Sequence, residues 1–369
     1  MKICIEAQTL NHHQRSGLLT YTEGLVNSLS EVDRDNEYAL VFYSLRRTGK
    51  DMPGPGDGNF RKHVLRLPDQ VFFAHQWIKD HAVLPRFLKQ NGVNVFHRPA
   101  GYTLPKVKNV RKVITVHDLR TLTINDNFWA QDIRQYKKSL DDADICVTVS
   151  ECTKRDLIEH FKLDPSRIRV VPLAADRRFA PQSEDEIRAV RKKYRLPPVY
   201  LLSVGFVPRK NLDGIMRAFA RARIPEEIGL VMTCRMNLET YHALARELDI
   251  EKRVAFLSDL RDDELVSLYS GSYCFLFPSL YEGFGLPILE AMQCGTPVIT
   301  SNISSCPEVA GDAALQVDPK NIDELARKIE DMVNDPALRE DLIRRGFERI
   351  RHFSWTRFGE AMRQIYTVA

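Results

Sequence analysis

An α/β protein of two domains, each a parallel sheet wrapped by helices, is the architecture this sequence predicts. Three observations carry it. Short apolar runs bounded by Gly, Pro and polar clusters alternate along the chain with segments of helical period. At 369 residues the chain exceeds one ordinary domain. The stretch SLYEGFGLPILEAMQCGTPVIT at 279–300 reads as a glycine loop, a short helix and a strand, following an apolar strand at 273–277.

The totals narrow the class. The composition, 44% hydrophobic and 28% charged with no low-complexity tract, is that of a globular protein. No apolar run approaches the roughly 18 residues of a membrane span. MKICIEAQ reads as a first strand and is too short in apolar residues for a signal peptide. The seven cysteines show no C-x-x-C and no Cys/His spacing suited to zinc, so free thiols in a reducing cytoplasm are expected. Residues 1–180 hold 28 Lys+Arg against 21 Asp+Glu and eight of the ten histidines, although the whole chain is only +4. Such a basic half suits either solvated loops or an anionic lipid surface on the inner face of the membrane. No nucleic-acid motif accompanies the charge, so no nucleic-acid partner is expected.

The elements follow in order. Residues 2–7 form the first strand, and a helix begins near Tyr21 after a polar loop carrying Ser16-Gly17. Gly17 either lines a ligand loop or makes a turn. Strands are expected at 38–43 and 63–67, with an exposed MPGPGDGN loop between them, and a helix at 72–90 offers Phe72, Phe73, Trp77, Leu84, Phe87 and Leu88 for burial. A strand at 93–96 ends in His97-Arg98, and the strand 112–116 ends in His117-Asp118. An imidazole at a strand end can hydrogen-bond a sugar hydroxyl, or stabilise a departing phosphate when protonated. A strand at 145–149 follows, with Ser150 as N-cap of a helix to 161. After the strand 168–171 the Pro-containing segment 173–183 is the expected linker.

The second half opens with a helix to Tyr194 and a strand at 200–204. Gly205-Phe206-Val207-Pro208-Arg209-Lys210-Asn211 then precedes a helix at 212–222, a phosphate site in outline with Asn211 as N-cap. Arg209 brings a planar fork and Lys210 a point charge, a combination able to hold two phosphates. Strands at 228–234 and 254–257 and a helix at 262–270 lead to the strand 273–277; the loops 235–237 and 258–260 are expected near a nucleotide base. In Glu282-Gly283-Phe284-Gly285-Leu286 the glycines let a diphosphate approach the main chain at a helix start. Glu282 and Glu290 repel phosphate and suit hydroxyl donors. The tail is helical at 322–334, 336–350 and 355–366.

With Glu282-x7-Glu290 at its centre, PSLYEGFGLPILEAMQCGTPVI resembles the signature of the family-4 retaining glycosyltransferases, whose GT-B fold has two facing Rossmann-like domains. The resemblance implies that Glu282 contacts the donor sugar, Glu290 the nucleotide ribose, Lys210 the diphosphate and His117, in V-H-D-L, the donor sugar. It places Gly17 in the family's first glycine loop, where this chain lacks the usual second glycine and arginine. Phe206 also stands where many relatives carry arginine. The implied division is 1–175 as an acceptor-binding domain joined by the C-terminal helix at about 355–369, and 184–354 as the nucleotide-sugar domain.

The reaction so implied is retaining transfer of a hexose, most similar to bacterial mannosyl- and rhamnosyltransferases of surface polysaccharide, with GDP-mannose as the favoured donor and a glycan or lipid-linked saccharide as acceptor. The catalytic set is His117, Glu282, Arg209 and Lys210; the donor-binding set is Gly17, Gly205, Arg209, Lys210, Glu282, Gly283, Phe284, Gly285, Leu286 and Glu290. No D-x-D pair stands in the right context, so no metal is assigned and the cations take its work. The alternatives are a catalytically inactive partner subunit and a nucleotide-sugar epimerase of the same fold. A dinucleotide dehydrogenase is disfavoured, since G-x-G-x-x-G is missing.

Overall fold

The computed structural model describes residues 1–12, 16–56, 58–67, 73–119, 133–205, 207–233 and 238–367, with backbone alone at 73–75. The expected class holds: the chain forms two α/β units, each built on a wholly parallel sheet. Residues 1–173 and 354–369 make the first, residues 174–353 the second.

The first unit's strands are β1 (Lys2–Glu6), β2 (Glu37–Tyr43), β3 (Phe60–Leu65), β4 (Val95–Arg98), β5 (Arg111–Val116), β6 (Ile145–Thr148) and β7 (Ile168–Val170). They lie in the order β3-β2-β1-β4-β5-β6-β7. Ile3 pairs with Tyr38 on one side and Val95 on the other, so the order reverses at β1/β4. Helices cover both faces, which is why β4 and β6 are buried at every position and do not alternate.

The helix Gly17–Val32 starts four residues before the expected point because Ser16 Oγ accepts from the Leu19 N–H at 3.2 Å. The C-terminal helix Trp355–Thr367 packs in this same unit against Gly17–Val32. Gly24 allows the approach, since a Cβ there would lie 2.0 Å from the Trp355 ring. Tyr366 Oη is hydrogen-bonded to His97 Nδ1 at 2.6 Å, and His97 Nε2 to Thr115 Oγ1 at 2.8 Å, fixing that helix to the sheet.

Four expectations need correction here. The segment 72–90 is not one helix but Phe73–Ile78, a π-helical turn Lys79–Val83 and Leu84–Gln90. The extra residue in the π turn rotates the helix faces, so Lys79 and Asp80 point inward while Trp77, expected in the core, is 62% exposed. The strand expected from 93 starts only at Val95; it ends in His97 and Arg98 as expected, and both are buried. The loop 52–59 is not wholly exposed either, since Met52 is buried.

The second unit contains β8 (Val199–Val204), β9 (Ile228–Thr233), β10 (Val254–Leu257), β11 (Cys274–Phe277), β12 (Val298–Ser301) and β13 (Ala314–Val317) in the order β10-β9-β8-β11-β12-β13. The strand β13 and the helix Leu238–Glu247 were not expected; β13 is only four residues long with just its two ends buried, and the helix is half-polar with only Tyr241, Leu244 and Ala245 buried. A core of Leu201, Ile215, Phe219, Leu230, Met232, Leu276 and Ile329 lies between sheet and helices. Order reverses between β8 and β11, where Leu202 pairs with Phe275. No helix among the described residues is long and apolar enough to cross a membrane.

Candidate functional site

At the point where strand order reverses, the loops leaving two adjacent parallel strands diverge and open a crevice at their carboxyl ends. In the second unit those loops are 205–211 after β8 and 278–285 after β11. Leu280 N donates to Arg209 O at 2.8 Å, lacing the two loops together.

This crossing is why residues 72 positions apart meet. Lys210 Nζ lies 2.7 Å from Glu282 Oε1, and Arg209 Nη1 lies 2.5 Å from Glu282 Oε2. Arg209 Nη1 also donates to Tyr281 O at 3.1 Å. The Lys210 ammonium sits 4.2 Å from the centroid of the Phe277 ring, a cation–π contact that holds it in a partly dry position. Burial pushes the Glu282 carboxyl up, but Lys210 and Arg209 outweigh it and hold the group below its usual range, so it is ionised. Burial also lowers Lys210, against the pull of Glu282; an ion pair at 2.7 Å keeps it protonated at neutral pH. Two cations on one carboxylate leave a net positive charge at the mouth of the loops.

The backbone is shaped to match. Gly205 has φ +127, and a Cβ there would lie 2.8 Å from Lys210 Cγ, so glycine is what lets the lysine lie across the loop. Its N–H donates to Thr233 Oγ1 at 3.0 Å. Asn211 occupies the N-cap position of the helix Leu212–Arg221 in a left-handed conformation, but its side chain does not cap, contrary to expectation. Its amide instead donates to Pro319 O at 2.7 Å and Pro278 O at 3.2 Å, tying the phosphate-side loop to two others.

The acidic loop is pinned from below. Glu282 N donates to Ser304 Oγ at 2.9 Å, and Ser305 Oγ donates to Glu282 O at 2.9 Å and Phe284 O at 2.7 Å. The helix Leu286–Gln293 follows with Gly285 at its N-cap in a positive-φ conformation and Pro287 in its first turn, where no N–H is missed. Gly283, Phe284, Gly285 and Leu286 are buried beside Glu282. Eight positions on, half-buried Glu290 accepts from Tyr269 Oη at 3.2 Å. Burial outweighs that hydrogen bond and pushes its carboxyl up to about 7. The two glutamates thus differ in state: Glu282 is charged and paired, Glu290 is poised to titrate.

In the first unit, His117 follows β5. Its Nε2 lies 2.7 Å from Pro99 O, which can only accept, so Nε2 carries the proton and Nδ1 is an acceptor in the neutral ring. Burial holds His117 below the ordinary histidine range, and the Tyr21 ring packs on it edge-on at 4.6 Å. Of the two chemistries expected of this imidazole, the neutral ring supports hydrogen bonding to a hydroxyl. Gly17 stands exposed in the first turn of its helix with nothing within 4 Å of a Cβ. Phe206 and the loop 235–237 lie outside the described residues.

Sequence reasoning missed three supports of this site: Ser304, Ser305 and Tyr269. It also missed a charged cluster in the first unit built from Glu6, Lys79, Asp80 and Arg98. A charge ending each of two apolar strands, at Glu6 and Arg98, was the available signal. Described residues show no cluster of His, Cys, Asp and Glu fit to hold a metal ion.

Comparisons with known proteins identify the family. The family model for Glycosyl transferases group 1 matches residues 183–349, and that for Glycosyltransferase Family 4 matches residues 16–179. The chain is 34% identical over 275 residues to the O-antigen chain mannosyltransferase B of Escherichia coli, covering 71% of each. It is 31% identical over 222 residues to the serotype-specific mannosyltransferase WbdA of Escherichia coli, covering 58% of this chain and only 27% of that larger protein. Among solved structures, sucrose-phosphate synthase of Thermosynechococcus elongatus superposes with a TM-score of 0.78 at 21% identity, covering 99% of this chain and 98% of that one.

Proposed function

This chain belongs to the glycosyl transferases group 1, and from that premise we propose that it moves mannose from GDP-mannose onto a glycan or lipid-linked saccharide in surface polysaccharide assembly, with retained anomeric configuration. The observation that carries the reading is the pairing of Arg209 and Lys210 on Glu282 where the second sheet reverses order. The sugar C1–O bond breaks with its electron pair leaving on the diphosphate, and the cations take up that charge as it develops. The acceptor oxygen bonds to C1, and its proton passes to the departing phosphate. In the second unit Glu282 holds sugar hydroxyls and Glu290 accepts from the ribose; in the first, the neutral His117 ring offers Nδ1 as a hydroxyl acceptor. In the second unit Gly205 and the segment from Gly283 to Leu286 give the donor backbone room. Mannose as the sugar is supported by the names of the two Escherichia coli relatives. An anionic membrane surface as the place of a lipid-linked acceptor is supported by the basic N-terminal half.

A thermal-shift panel of UDP, GDP and ADP sugars in EDTA tests the donor. GDP-mannose raises Tm, and Lys210→Ala abolishes the rise. No shift across the panel would overturn the reading.

A further inference from the structure

The first sheet also reverses its order, between β1 and β4, and the last residues of those strands meet there. Arg98 Nε lies 2.5 Å from Glu6 Oε2, Arg98 Nη2 lies 2.8 Å from Asp80 Oδ1, and Lys79 Nζ lies 3.0 Å from Glu6 Oε1. Two cations and two carboxylates cancel. Arg98 also donates to Thr103 O and to Thr103 Oγ1 at 2.6 Å. Above this floor opens a cavity of about 470 Å³ between the turn 76–81, the loop 98–106 and the helix Ile133–Asp142. That is within the roughly 300–1,000 Å³ of small-molecule sites.

Its walls have a definite chemistry. Trp77 lines it and is 62% exposed, a large apolar surface in water. His81 stacks on one face of the indole at 4.8 Å and 12°, and its Nδ1 is hydrogen-bonded to Trp77 O at 3.0 Å, so the ring is braced from one side. Around it, Gln76 donates to Asp80 at 2.8 Å but its Oε1 accepts nothing among the described residues. Lys106, Gln135 and Lys138 on the rim likewise have side-chain hydrogen-bonding capacity unused by described residues. The π-helical turn produces this division, sending Lys79 and Asp80 into the floor and Trp77 to the wall. A braced aromatic face beside unspent donors and acceptors, over an electrically neutral floor, matches a ring with one apolar C–H face and a girdle of hydroxyls. The polar rim does not match a fatty chain, and the exposed indole face, which a bare anion would not use, sets the cavity apart from a simple anion site although Lys106 and Lys138 stand on its rim.

We propose that this cavity binds a neutral saccharide, with Trp77 as its stacking platform. Taken with the transfer reaction proposed above, and resting on it for this clause alone, the saccharide is a sugar unit of the acceptor glycan.

Binding is read without any donor, on the full chain, by saturation-transfer difference NMR with methyl α-D-mannopyranoside and α-linked mannobiose. Saturable binding is expected, weakened about tenfold in Trp77→Ala and kept in Trp77→Phe. Gln76→Ala is a second variant and weakens it about threefold, while Lys210→Ala leaves it unchanged. In transfer assays Trp77→Ala raises acceptor KM and leaves donor hydrolysis unaltered. Absence of saturable binding, equal affinity in Trp77→Ala, or binding of inorganic phosphate in place of the neutral sugars would each overturn the proposal. Failure of the GDP-mannose panel would leave this titration intact, so the two readings fail separately.

Discussion

Each sheet reverses its strand order once, and each reversal gathers opposite charges, but to different ends. In the first unit the Arg98 side chain is 1% exposed and spends its guanidinium on Glu6, Asp80 and Thr103. In the second, the Arg209 and Lys210 side chains are 20% and 11% exposed and both pair with the Glu282 carboxylate. A balanced, dry cluster can only hold its own strands together, because removing any member leaves a buried charge uncompensated. An unbalanced, partly wet cluster keeps positive charge in reserve for a ligand. The reversal point supplies the crevice; charge balance decides whether its floor is scaffold or site.

The largest expected effect separates the clusters by what each loses. Arg98→Met leaves Glu6 and Asp80 facing each other and costs on the order of 3–5 kcal/mol in chemical denaturation. Glu282→Gln leaves two cations with access to water and costs only about 1 kcal/mol, while transfer falls on the order of a hundredfold. Equal destabilisation by the two variants would collapse the contrast.

A smaller effect concerns pH. The Glu290 carboxyl is raised from 4.5 to about 7, so between those values the folded chain holds a proton that the unfolded chain has lost. Stability therefore falls as pH rises through that window, by on the order of 1–3 kcal/mol. Glu290→Gln removes this slope, read as the difference between variant and wild-type denaturation curves from pH 5 to 7. Glu282 has the opposite sign: its lowered carboxyl contributes stability above the ordinary carboxylate range, lost only as pH falls through its depressed value. Since ribose hydroxyls favour an ionised Glu290, nucleotide affinity rises with pH across the same window in wild type and not in Glu290→Gln.

The smallest is Gly205→Ala. A Cβ 2.8 Å from Lys210 Cγ at φ +127 displaces the lysine and strains the turn by about 1–2 kcal/mol. Nucleoside diphosphate affinity measured by calorimetry falls by a factor of about five to ten, with a Tm decrease of a few degrees. Unchanged affinity would show that the lysine's position over Phe277 is not what the glycine protects.

Much of the second unit's site was legible because its parts are contiguous in the chain. The glycine loop, Glu282, Glu290, Pro287 and the helix they open are set by local preferences that a linear reading detects, and Arg209-Lys210 stands beside its own helix start. The first unit's cluster was not legible, because Glu6, Lys79, Asp80 and Arg98 come from three separate segments. The segment 72–90 shows the same limit: its apolar spacing fits a continuous helix, and only the π turn moves Trp77 out of the core.

By itself, then, the sequence determined most of the element types, the two parallel sheets and the loop that carries both glutamates, since backbone preference and apolar period act over a few residues. Tertiary structure alone decided that Glu282 is clamped by both cations, that Glu290 is raised toward neutrality, and that Nδ1 is the acceptor nitrogen of the His117 ring. Those properties depend on which strands are neighbours and on how much water reaches each charge, and both are settled only when distant segments pack.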